Sequence, residues 1–238
     1  MNAEVLQEAS MRLAVAILSA VGLAASGVVL AQTPPCGELR NSYGPFDYRT
    51  SKAELRIVED FHFTPDVETL RHGNTGTVGG DLDYTLRASP NHHRALMAMV
   101  NLAIRTKSEK PLGPKYSVDC YFDRAIRFAS DDASVRIIYG IYLYRVGKKA
   151  DARRVLEEAR KIDDGDPNLH YNLGFVYLDL GDKDNALASA QKAYQLGAQL
   201  PGLKEKLRKA GIWKDTPAGA VTGGPKPSQG SERGAPAN

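Results

Sequence analysis

The sequence predicts an all-α protein built as a solenoid of helical hairpins, about three repeats long and closed by a C-terminal capping helix. Small residues recur at a spacing of 34 in the second half of the chain: Gly140 and Gly174, Gly147 and Gly181, Ala152 and Ala186, Ala159 and Ala193. A period of that length is one helix-turn-helix unit, so residues 133–166 and 167–200 read as two copies of it. After the second copy, Pro201 opens an amphipathic segment, PGLKEKLRKAG, with Leu203, Leu207 and Ala210 on one face. A solenoid needs such an end piece to cover the apolar face that no further repeat buries.

Composition sets the outer bounds. The chain has 238 residues, 42% hydrophobic and 25% charged. It is long enough to bury a core, and this balance excludes a disulfide knot, a polytopic membrane protein and full-length disorder. The net charge is +3, with both signs scattered and no block of five or six like charges, so nucleic acid is not an expected partner.

From Leu13 to Ala31 the chain carries no charge, Arg12 precedes it, and Val29-Leu30-Ala31 offers small residues for cleavage before Gln32. Residues 1–31 therefore read as a secretory signal, which places the mature protein in a periplasmic or otherwise exported compartment. Glu4 and Glu8 sit badly in a signal opening, and Met11 is the alternative start. The competing reading is an uncleaved membrane anchor over residues 13–31; the Gly and Ala content favours cleavage. Residues 32–89 follow as an N-terminal arm and a partial hairpin. Within it, Thr64-Pro65 is expected to start a helix over Asp66–His72, GNTGTVGG is expected to be a loop, and Asp81 or Asp83 to begin the next helix.

The solenoid with its cap occupies residues 90–212. Val118, Phe122 and Ala125 fall 34 before the seam positions Ala152, Leu156 and Ala159, so a degenerate third copy lies upstream. Its helices are expected at about Asn91–Arg105 and Ser117–Ala129, separated by the stretched loop TKSEKPLGPKY, which reads as surface. Gly140 and Gly174 stand within helices, where glycine costs about 1 kcal/mol relative to alanine, so a neighbouring helix must press close there. Alanines spaced by seven give the second helices a narrow seam. Gly147 and Gly181 suit left-handed helix ends, and Asp182 caps the helix after the turn. Residues 213–238, rich in Pro and Gly, are expected to be disordered.

With these residues in view, a resemblance can be stated. PNLHYNLGFVYLDLGDKDNALASAQKAYQLGAQL resembles a tetratricopeptide repeat, through YNLG at Tyr171–Gly174, Tyr177, LGD at Leu180–Asp182, Ala186 and Ala193. The resemblance implies a right-handed solenoid whose first helices line a concave groove. It places Ser134, Ile137, Ile141, Tyr144 and Arg145 there from one copy, and Asn168, Tyr171, Phe175, Leu178 and Asp179 from the next. The family's carboxylate clamp needs lysine and asparagine where this chain has Ile137, Ile141, Tyr171 and Phe175, so an acidic C-terminal peptide is not the expected ligand. An apolar, aromatic groove suits a protein or peptide with apolar anchors, and a homo-oligomer is compatible with such a scaffold. The alternative is that the N-terminal arm fills the groove.

The expected function is thus an exported scaffold for protein-protein contact in the bacterial cell envelope, without catalysis and without a cofactor. Two rivals stand beside it: a glycan- or cell-wall-polysaccharide-binding module, and a metal-dependent envelope enzyme. The enzyme would draw on His62, His72, His92 and His93, four of the five histidines, but no HExxH or CxxC spacing accompanies them. The cysteines Cys36 and Cys120 are expected to pair in an exported protein; the alternative is one buried and one free thiol.

Overall fold

A computed structural model describes residues 35–214. The signal segment at 1–31 and the tail from 215 onward lie outside them. The described residues form ten helices and no strand: α1 (Lys52–His62), α2 (Pro65–Glu68), α3 (Val78–Ala88), α4 (His93–Thr106), α5 (Val118–Phe128), α6 (Ala133–Arg145), α7 (Lys149–Ile162), α8 (Pro167–Asp179), α9 (Lys183–Gln195) and α10 (Gly202–Lys209). Sequential helices pair as hairpins, α6 with α7 and α8 with α9. The first helices also pack in series, α4 on α6 and α6 on α8, and α10 closes against α8 and α9. This is a helical-hairpin solenoid.

The repeat residues do what their spacing requires. Ala152, Ala159, Ala186 and Ala193 are fully buried, as are Val118, Phe122 and Ala125 of the degenerate copy. A methyl group on Gly140 would lie 2.5 Å from Leu156 Cγ, and one on Gly174 would lie 2.5 Å from Leu203. In the first case the pressing helix is α7, the hairpin partner; in the second it is the capping helix α10. Gly147 and Gly181 end α6 and α8 with φ of +84° and +81°, and Lys148 and Asp182 each donate their N–H back to the penultimate turn, at Leu143 O and Tyr177 O. Asp182 then accepts from the Asn185 N–H at the start of α9.

The upstream half departs from the expectations in identifiable ways. The hairpin before the solenoid is made by α1 and α3, not by a helix over Asp66–His72; that stretch holds only the short α2, ended by Leu70 at φ 60°. Helix α3 starts at Val78, inside the glycine stretch and ahead of Asp81 and Asp83, because Thr77 caps it by accepting from Gly80 N–H. Gly79 is needed for packing: the loop between α4 and α5 lies on it, with Leu112 O only 2.3 Å from where a Gly79 methyl would sit. Asp83, buried under that loop, accepts from Lys115 N–H and from the Tyr121 hydroxyl. The stretched loop is therefore seated against α3, not merely tolerated surface. At the other end Leu203 and Leu207 are buried, whereas Ala210 is exposed. After α10 the Trp213 ring stands edge-on to Tyr194 at 5.7 Å.

The N-terminal arm is clamped to the helices. Cys36 and Cys120 are joined by a disulfide across 84 residues of sequence. Beside it the buried Arg124 donates to the carbonyls of Cys36 and Glu38 and lies over the Tyr116 ring, while Arg127 holds Gly37 O. Further along, Phe46 N–H donates to Ala88 O, Tyr48 N–H to Asn91, and Arg49 bridges Asp47 and Asp131.

Candidate functional site

An apolar concavity lies where the first helices face one another. It holds about 550 Å³ and is lined by α4, α6 and α8, with Leu200 at one end. Helical periodicity aims Ile137, Ile141 and Tyr144 of α6, and Tyr171 and Phe175 of α8, into the same space, because residues three and four apart share a face. Ile137 is only 4% exposed and forms the floor; Ile141, Tyr144, Tyr171 and Phe175 are partly exposed. The rings brace each other: Tyr171 meets Phe175 edge-on at 5.2 Å, and Tyr144 lies 6.4 Å from Phe175. Such rigid aromatic walls offer contact area at little entropic cost.

Polar groups stand at the ends of this floor. Asp166 and Asn168 open α8 at one end. Arg145 closes α6 at the other, donating to Asn101 Oδ1 at 2.8 Å. Asp179, which the repeat pattern assigns to the groove, does not line it. It instead accepts from Tyr144 Oη, Lys206 Nζ and Lys149 at 2.9, 2.6 and 3.2 Å, behind the aromatic wall. Burial by itself would raise the Asp179 carboxyl, but these hydrogen bonds, Lys206 foremost, outweigh it and hold the group below its ordinary value. Burial and then Asp179 push the Tyr144 hydroxyl up to about 12. The cluster thus locks Tyr144 in place and ties the groove to the cap. Leu178 likewise packs against the core and does not reach the cavity.

His93, Met97, Ile138, Asn172 and Leu200 also line the groove, although the repeat pattern does not assign them to it. A register signal exists for Met97. The N-cap residues of the first helices are His92, Asp132 and Asp166, so the copies are offset by 40 and then 34 residues. The six extra residues are those of the seated loop. With that correction Met97 falls on the position of Ile137 and Tyr171.

Among the described residues, the arm from 35 onward does not line the groove. Its contacts run over α1, α3 and α5 and the turns before α4 and α6, and it reaches the groove's edge only where Tyr48 meets His93, at 5.1 Å.

Each histidine of the N-terminal window has a local partner. His62 pairs with Asp81 and stacks on Tyr84; His72 pairs with Asp66; His93 pairs with the buried Asp132. His92 is buried, accepts Ala95 N–H at Nδ1 as the cap of α4, and donates from Nε2 to Glu59. Burial, reinforced by nearby Arg94, pushes His92 down to about 3, so its ring is neutral. Among the described residues no group of three or more His, Cys, Asp or Glu side chains could hold a metal ion.

No family model matches the chain, and no curated protein matches it in sequence. Among solved structures, a chain titled MamA MSR-1 C2 aligns with a TM-score of 0.41 at 15% identity, over 63% of this chain and 80% of that one. The hairpin geometry itself, not this degree of similarity, defines the fold.

Proposed function

We propose that the protein is an exported, non-catalytic scaffold of the tetratricopeptide type, which holds an apolar-anchored segment of another protein in its concave groove. The observation that carries this reading is an open floor of isoleucine, tyrosine and phenylalanine that the described part of the chain's own arm leaves uncovered. Apolar side chains of a partner segment would sit between Tyr171, Phe175 and Ile141, and its backbone and polar groups would meet Asn168, Asn172 and Arg145 at the rim. The signal-like residues 13–31 and the disulfide both favour an oxidising compartment outside the cytoplasm. The scaffold would serve the cell envelope there.

The test is crosslinking and pull-down from an envelope fraction, comparing the oxidised chain with Tyr171→Ala/Phe175→Ala. A protein retained by the first and lost by the second supports the reading. Equal retention by both, or retention of polysaccharide alone, contradicts it.

A further inference from the structure

The two ends of the hairpin stack are finished differently. At the C-terminal end α10 buries Leu203 and Leu207 and turns Glu205, Arg208 and Lys209 to solvent, the polar outer face that a terminal element needs. At the N-terminal end the apolar arc of α1 reaches past its buried side. Leu55 and Val58 are buried in the protein, yet Ile57 and Phe61 are 55% and 56% exposed. These two lie one turn apart on the same face, and Tyr43 and Tyr84 extend it into a shallow cleft of about 270 Å³. A contiguous apolar patch of this kind marks a contact surface.

We propose that the outer face of α1 is a two-fold interface with a second copy of this chain, the two α1 helices running antiparallel. The charge pattern selects a second copy as the occupant. Arg56 and Asp60 lie together on one flank of the Ile57 and Phe61 stripe, with 84% and 61% of their side chains exposed, and they approach each other only to 3.9 Å within the chain. A two-fold axis midway between Ile57 and Phe61 sets Ile57 of each copy against Phe61 of the other and keeps like flanks together. At a rise of about 1.5 Å per residue, Arg56 of one copy then stands about 3 Å along the helix from Asp60 of the other, against about 6 Å within its own chain. The face is therefore complementary to itself in both apolar and charged groups, as an isologous contact requires. The patch is small, so the dimer is weak, in the micromolar range. This contact is independent of the groove and of what the groove holds.

Sedimentation velocity on the oxidised protein from about 1 μM to 1 mM tests it, a range that brackets such weak interfaces. Wild type is expected to pass from monomer to dimer, and Phe61→Asp to remain monomeric with unchanged circular dichroism. Arg56→Asp and Asp60→Arg each set like charges opposite across the axis and weaken the dimer about tenfold or more. Mixing these two variants sets a copy that is acidic at both flank positions against a copy that is basic at both, and restores the dimer. A wild type that stays monomeric throughout, or a dimer that persists in Phe61→Asp, overturns the proposal; a mixture that fails to associate overturns the antiparallel arrangement.

Discussion

Gly140→Ala sets two opposed effects against each other, and the structure decides between them. Alanine is favoured over glycine within a helix by about 1 kcal/mol. The added methyl group would stand 2.5 Å from Leu156 Cγ and 2.6 Å from Cδ2, where ordinary contact begins at 3.4 Å. Leu156 has no exposed surface into which it could retreat, so the overpacking cost falls toward the upper end of about 1–3 kcal/mol. The net expectation is a loss of about 2 kcal/mol, read from urea denaturation of the oxidised protein at pH 7. Truncating the obstacle reverses the sign: in a Leu156→Ala background, itself destabilised by about 2–5 kcal/mol, the same Gly140→Ala change should stabilise by up to about 1 kcal/mol. Gly76, where an added methyl group would meet nothing within 4 Å, serves as the control, and Gly76→Ala should shift stability by less than about 0.5 kcal/mol. Gly140→Ala that stabilises the wild-type background as much as the Leu156→Ala background would refute close packing as the reason for the repeat glycines.

Three further outcomes rest on the same contacts. Reduction, or Cys36→Ser with Cys120→Ser, should cost about 2–4 kcal/mol for a bridge spanning so long a segment. Limited proteolysis should then cut within residues 37–50, while helicity in the far ultraviolet is largely kept. Acid stability should follow His92, whose pKa lies at about 3 in the fold, below the ordinary value of 6.5. The unfolded chain therefore binds its proton first, and stability is lost as pH falls below about 6.5. The loss reaches about 2–3 kcal/mol at about pH 4.5. His92→Asn, which can still cap α4, should flatten that slope in denaturation midpoints measured from about pH 7 to about 4.5. Finally, Asp179→Asn should loosen Tyr144 and the cap together, lowering stability by about 1 kcal/mol or more and weakening groove binding without altering the apolar floor; unchanged binding would separate the cluster from the groove.

The part of the fold legible in the sequence is the part written twice. Small residues at a period of 34 locate α6 to α9, the closely packed glycines and the alanine seam, because close helix packing tolerates few alternatives at those positions. Carrying the repeat across also brings Ile137, Ile141, Tyr144, Tyr171 and Phe175 to one cavity. It misplaces Asp179 because helical spacing gives the face of a residue but not its partners, and two lysines from other helices draw this carboxylate away. The first hairpin is harder to see. Helix α1 is amphipathic, but it occurs once, with no second copy to set its register, and its one broad apolar arc runs from the buried Leu55 and Val58 to the exposed Ile57 and Phe61. Gly79 resembles loop composition because its cause, the backbone of Leu112 and the ring of Pro114 pressing on it, lies in a distant part of the chain. For the same reason the inserted loop hides the register that puts Met97 in the groove.

A photo-reactive phenylalanine analogue placed at Tyr171, in the groove, and separately at Arg154, on the exposed side of α7, each irradiated in an intact envelope, would decide whether the groove holds a protein segment. The groove position should yield a discrete crosslinked product containing a second protein, reduced about tenfold or more by Phe175→Ala, and the α7 position should not. A product common to both positions, or none from Tyr171, would contradict a groove that binds protein.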